Sequence, residues 1–100
     1  MTEKKQIKDE NIVYVGTKPF MNYVTSVVMQ FTTKQRNEVI IKARGKLTSK
    51  AIDIAEVAKR KFLNEQKVKS KEVKIDSQEF ENKEGKKVNV STIEITLIKE

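Results

Sequence analysis

Apolar side chains recur along this chain in two rhythms, one helical and one extended. Phe20, Val24, Val27, Val28 and Phe31 fall three or four residues apart, which lines one face of a helix running to about Lys34. The same spacing returns at Ala51, Ile54, Ala55, Ala58 and Phe62, predicting a second helix to about Leu63, with Thr48 or Ser49 suited to cap its start. Asn11 to Val15 is a short β-rich run. Glu38 to Ala43 sets Val39, Ile40 and Ile41 side by side, the mark of a strand that is central or covered on both faces. The last third alternates instead. Val73 and Ile75 stand among Glu72, Lys74 and Asp76, and Ile93, Ile95 and Leu97 among Glu94 and Thr96. Residues 81–87, with Gly85 placed for a turn, join these two strands as a hairpin. The order β-α-β-α-β-β predicts an α+β two-layer sandwich over residues 11–100, preceded by a flexible polar tail over residues 1–10.

Parity within the hairpin adds a detail. Val73 and Ile75 are odd positions and Phe80 is even; Ile93, Ile95 and Leu97 are odd, Val88 and Val90 even. Both strands therefore change their apolar face between body and tip, near residues 77–79 and 91–92. A bulge or a strong twist there would do this. The outer half of the hairpin is expected to project beyond the core as an arm; the plainer alternative is that Val88 and Val90 face a second partner surface.

Charge turns this small scaffold toward a class of partner. The 100 residues carry 21 Lys and Arg against 14 Asp and Glu, a net charge of +7, with arginine only at 36, 44 and 60. Such an excess favours a polyanion, nucleic acid before an anionic membrane. The absence of cysteine removes disulfides, thiol nucleophiles and thiolate metal sites, and the absence of histidine removes the usual base near neutral pH and the commonest metal ligand. No cofactor or metal is expected, and no enzyme activity. Asp53 and Glu56 share a helix face, but nothing in the sequence sets a third acid beside them for metal-dependent nuclease chemistry. No apolar run approaches a membrane span, and residues 1–10 are too polar for a signal peptide, so a soluble intracellular protein without membrane contact is expected.

The cations gather where strands give way to helices. Gly16-Thr17-Lys18-Pro19 follows the first strand, with Pro19 suited to a first helical turn, and Arg44-Gly45-Lys46 follows the second. If the two strands pair in parallel, both turns reach one sheet edge, toward which the helices point unpaired amides. Thr17, Lys18, Arg44 and Lys46 then form a phosphate site, to which Lys42 and Lys50 would add. The glycines let the backbone turn sharply there. The hairpin tip offers Lys83, Lys86 and Lys87 with Asn82 and Asn89 nearby, a slender basic arm diluted by Glu81 and Glu84. Lys67, Lys69, Lys71 and Lys74, and Lys59, Arg60 and Lys61 at the end of the second helix, read as solvated faces. Phe20 and Phe31 read as core, and no set of exposed aromatics resembles a base-stacking platform. Neither basic turn fits a phosphate-binding G-x-x-x-x-G-K-[ST] loop.

The segments 15–24 and 41–51, with Phe62-Leu63 and residues 90–95 (VSTIEI), resemble in order and spacing the signature of the Alba family of archaeal chromatin proteins. The likeness spans about Asn11 to Lys99. It implies a homodimer, or a heterodimer with a paralogue, that binds double-stranded DNA without sequence preference and often RNA. The dimer body would lie on the duplex and the arms would follow the minor groove. Carried onto this chain, the body contacts are Lys18, Arg44 and Lys46, with Asn22 beside them; Tyr23 matches the motif as well. Lys46 replaces the family's usual arginine, which keeps the charge and loses the planar fork. Thr17 replaces the first of two lysines, leaving Lys18 as the one residue of that turn open to the acetylation known in some members. Phe62 matches an aromatic that bridges neighbouring dimers, although it also continues the apolar stripe of its helix. The expected protein coats and compacts chromosomal DNA, cytoplasmic and chromosome-associated. The nearest alternative is an RNA-binding protein acting on structured RNA or ribonucleoprotein.

Overall fold

A computed structural model describes residues 11–100. The tail expected over residues 1–10 lies outside the described residues. Strand β1 (Ile12–Tyr14) leads to helix α1 (Phe20–Thr32), then strand β2 (Glu38–Arg44). A 3-10 turn (Gly45–Leu47) opens helix α2 (Thr48–Val57), whose final turn (Ala58–Phe62) is wound as a π-helix. Strands β3 (Val68–Glu81) and β4 (Lys87–Lys99) complete the chain. The four strands form one sheet in the order β1-β2-β4-β3, with β1 parallel to β2 and the other pairs antiparallel. Each of the predicted elements is present, in the predicted order.

Period-2 patterning explains the sheet. On β2, Val39, Ile41 and Ala43 are buried while Glu38, Ile40 and Lys42 are only partly covered. The helices therefore cover one face, and β2 is central without being covered on both sides. Ile93, Ile95 and Leu97 of β4 continue that buried face. Val24, Val27 and Phe31 of α1 and Ala51, Ile54, Ala55 and Ala58 of α2 close it from above. The small alanines let α2 lie close against its neighbours.

Helix α2 departs from the expected reading at both ends. Leu47 occupies the cap position, and no side chain caps the helix. The Thr48 hydroxyl instead donates to the Gly45 carbonyl at 3.0 Å, because the 3-10 turn has already brought residues 45–47 into the helical path. At the other end, the wider π turn adds a residue per turn. An α-helix would bring residue 62 beneath Ala58; here Leu63 arrives there, fully buried, and Phe62 is 49% exposed. Phe62 is thus not part of the core stripe.

The hairpin departs in a different way. Strand β2 pairs with β4 only from Ile98 to Thr92, so the five pairs from Ser77↔Ser91 to Glu81↔Lys87 stand beyond the body as a two-stranded arm. Pairing runs unbroken from Glu72↔Thr96 to the tip, and the one register shift lies between Ser70 and Glu72. No bulge therefore accompanies the change of apolar face. With pairing unbroken, Phe80 simply lies on the face opposite the helices, where its ring centroid is 5.1 Å from the Arg44 guanidinium carbon.

Candidate nucleic-acid interface

The register Ile12↔Ile40, Val13↔Ile41 and Tyr14↔Lys42 sets β1 and β2 in parallel, and the Val15 amide extends the ladder to the Lys42 carbonyl at 2.9 Å. Both chains consequently leave the sheet at the same edge. Thr17 and Lys18 stand exposed on the first exit turn, Arg44 and Lys46 on the second. Gly45 adopts φ +62°, a left-handed conformation that a side chain would strain. The expected juxtaposition of two basic turns is what the fold delivers.

Their internal wiring is less simple than unpaired amides facing outward. The amides of Gly16 and Lys18 both donate to the Tyr23 hydroxyl, at 2.9 and 3.1 Å. The Asn22 amide donates to the Pro19 carbonyl at 3.0 Å. From α2, the Lys50 ammonium donates to the Gly16 carbonyl at 2.9 Å and the Lys18 carbonyl at 2.7 Å, and lies 5.0 Å from the Tyr23 ring centroid. Lys50 therefore faces the turn rather than the solvent beyond it. Lys42 pairs with Glu94 at 3.5 Å and lies 5.9 Å from the Tyr14 ring centroid. Neither of these two lysines is presented outward as Lys18 is. Asn22 is exposed, and with Lys18, Tyr23, Thr25 and Ser26 it lines a shallow cleft of about 390 Å³.

The tip is built around Asn82. Its side-chain oxygen accepts from the Glu84 and Lys86 amides at 3.0 and 2.9 Å, and Gly85 turns the chain at φ +83°. Lys83, Lys86, Lys87 and Asn89 are left exposed around that turn. The tip lies at the far end of the arm, and Arg44, stacked on Phe80, ties the arm to the second basic turn. Phe62 lies apart from this edge. It ends the helix that Thr48 begins, some 20 Å away at 1.5 Å per residue.

Three cations of the other clusters, Lys59, Arg60 and Lys69, are engaged locally. Glu56 meets Arg60 at 2.7 Å and Lys59 at 3.0 Å, and hydrogen bonds from these two hold its carboxyl below the usual glutamate range. Lys69 pairs with Glu100. Among the described residues no group of three or more carboxylates is placed to hold a metal ion, and no helix is long and apolar enough to cross a membrane.

Two exposed rings were not among the expected site residues. Tyr14, 65% exposed, and Phe80, at 36%, both lie on the face of the sheet opposite the helices, each beneath a cation. A cleft of about 480 Å³ opens on this face between Tyr14, Arg44, Gln78 and Thr92. The signal in sequence was parity: both positions are out of step with the buried residues of the sheet.

Fold and site together define a small two-layer α+β domain with a cationic edge and a basic arm. Residues 11–77 match the family model described as Alba, and the chain belongs to the Alba family. It is 48% identical over 90 residues to the DNA/RNA-binding protein Alba of Methanococcus maripaludis, covering 90% of this chain and 99% of that one. Against the protein of the same name from Thermoplasma acidophilum it is 49% identical over 89 residues, 89% of this chain and 96% of that one. The structure of Alba from Thermoplasma volcanium superposes with a TM-score of 0.81 at 47% identity, covering 89% of this chain and all of that one.

Proposed function

We propose that this protein is a sequence-nonspecific double-stranded DNA-binding chromatin protein that coats and compacts chromosomal DNA and also binds RNA. The observation that carries the reading is the common edge: parallel β1 and β2 bring both basic turns, with exposed Lys18, Arg44 and Lys46, to one edge of the sheet. Relatives named DNA/RNA-binding protein Alba, matched over nearly their whole length, support it. Cations on that edge and on the arm displace condensed counterions along the phosphates, an interaction blind to base sequence. The protein acts by binding, without cofactor or catalysis, in the cytoplasm on the chromosome.

The working unit is a homodimer, and a paralogue could take the same place. Val73 and Ile75 are 52% and 76% exposed on the helix-side face of β3, where no helix among the described residues covers them. Burying them against a second copy would set two arms along one duplex. Exposed Phe62 then bridges neighbouring dimers. Acetylation of Lys18 would remove a charge from the first turn and weaken binding.

The test is Lys18→Glu combined with Arg44→Glu, assayed on unrelated duplexes over a range of salt. Wild-type log affinity should fall with log salt by about 0.9 per phosphate contact, equally for each sequence, and the double variant should bind far more weakly. Unchanged affinity in the variant, or strong preference for one sequence, overturns the reading. The second reading, structured RNA as the main target, is favoured by exposed Tyr14 beside the open-face cleft. Matched DNA and RNA duplexes compared at one salt concentration separate the two.

A further inference from the structure

We propose that Lys50, with Tyr23, is a positioning residue that clamps the first basic turn and fixes it to the second, rather than a phosphate ligand. The inference rests on the proposed function, since positioning matters only if the edge binds a polyanion. The amides and carbonyls of Gly16 and Lys18, in the turn that ends at Pro19, bond to side chains of the two helices. Tyr23 of α1 accepts both the Gly16 and Lys18 amides through one buried hydroxyl. Lys50 of α2 donates to the two carbonyls of the same residues. The Lys50 ammonium also lies against the Tyr23 ring, so the two clamping groups steady each other.

The sequence separation gives the clamp its purpose. Lys50 lies 34 residues from Gly16 but only four beyond Lys46. It belongs to the helix that the second basic turn begins, and it grips the first. The β1–β2 pairing brings both exits to one edge, and beyond it a side chain holds the turn carrying Lys18 to the helix that follows Arg44 and Lys46. A turn held in this way pays no ordering cost when a phosphate arrives. The Lys50 charge is spent on carbonyls, and its role in binding is exerted through Lys18.

Three variants test this on the intact protein: Lys50→Met, Tyr23→Phe and Lys18→Ala, alone and combined. Two measurements are made, amide hydrogen exchange at Gly16 and Lys18 without nucleic acid, and duplex affinity over a range of salt. Either clamp variant should speed exchange at both amides. Lys50→Met should weaken duplex binding about 3- to 10-fold in the wild-type background and less than about 2-fold in Lys18→Ala, the non-additivity of groups acting as a unit. Lys50→Gln repeats the test should the methionine variant fail to fold. If Lys50→Met leaves exchange unchanged, costs the same factor in both backgrounds and lowers the salt slope by about 0.9, Lys50 is a direct phosphate ligand and the proposal is wrong. Unchanged exchange and unchanged affinity overturn it too. Failure of the wild-type protein to bind any duplex is a different result: it removes the proposed function, and unchanged exchange in the variants would then remove the clamp as well.

Discussion

The two glycines of the basic edge are required for different reasons, and substitution by alanine separates them. Gly45 is held at φ +62°, but a Cβ there would meet Val90 Cγ1 at an ordinary 3.7 Å. The cost is conformational: about 1–2 kcal/mol for an L-residue in the left-handed region, less about 0.4–1 kcal/mol regained because alanine restricts the unfolded chain. Gly45→Ala should therefore lose about 1 kcal/mol, and Gly45→Asn less, since asparagine tolerates that region. Gly16 has no such conformation. A Cβ there would lie 3.1 Å from the Tyr23 hydroxyl, an oxygen fixed by two amides. The cost is spatial, about 1–3 kcal/mol, and depends on that oxygen. Thermal and urea unfolding at fixed protein concentration reads both effects, about 4–8 °C per kcal/mol for a domain of this size. Tyr23→Phe is destabilising by itself, because two amides lose their acceptor, but Gly16→Ala should cost less in that background than in the wild type. Equal cost of Gly16→Ala in both backgrounds would refute the spatial argument. Gly45→Asn losing as much as Gly45→Ala would refute the conformational one.

Other expectations follow from the same structure. Leu63→Ala should destabilise by about 2–4 kcal/mol and Phe62→Ala by under about 1 kcal/mol, because the π turn buries the first and exposes the second; denaturation midpoints compare them. Gln35, at φ +53°, should gain about 0.5–1 kcal/mol on replacement by glycine, seen as a raised melting temperature. Glu56 has its folded-state pKa lowered first by Arg60 and then by Lys59, so its contribution is present above the ordinary value of 4.5 and is lost as pH falls below it. The group is substantially exposed, so Glu56→Gln should cost at most about 0.5 kcal/mol at pH 7, and the difference from wild type should shrink as pH falls through the lowered folded-state value; a difference that does not change with pH would count against the ion pairs.

Periodicity and parity carried the fold because each element shows the core one face. The threefold-to-fourfold spacing of α1 and the alternation of β4 translate directly into buried residues. The common basic edge was legible for the same reason: parallel pairing of two short strands leaves their exits no other place. What escaped is what one residue or one rotamer decides. The π turn exchanges Phe62 for Leu63, and no pattern of apolar spacing signals a change of helix type. Lys50 carries a long stem that reaches either solvent or a nearby carbonyl, and only the position of the first turn determines which. Thr48 has the right chemistry for a cap but stands one residue inside the helix. The register shift between Ser70 and Glu72 lies in a strand so exposed that burial gave no clue.

Strand β3 ends the sheet, and that position has a consequence for how the protein survives at high concentration. Among the described residues no strand pairs with one side of its 14 residues, which is an open row of backbone donors and acceptors. Such a row is a template on which another extended chain can grow a fibril. Lys69, Lys71, Glu72, Lys74, Asp76, Glu79 and Glu81 crowd along it, and the register shift beside Lys71 breaks its flatness. The lysines read in the sequence as a solvated face thus act, with these acids, as guards against edge-to-edge growth. Stripping them would leave the folded core intact and make a protein that precipitates as ribbons rather than one that unfolds.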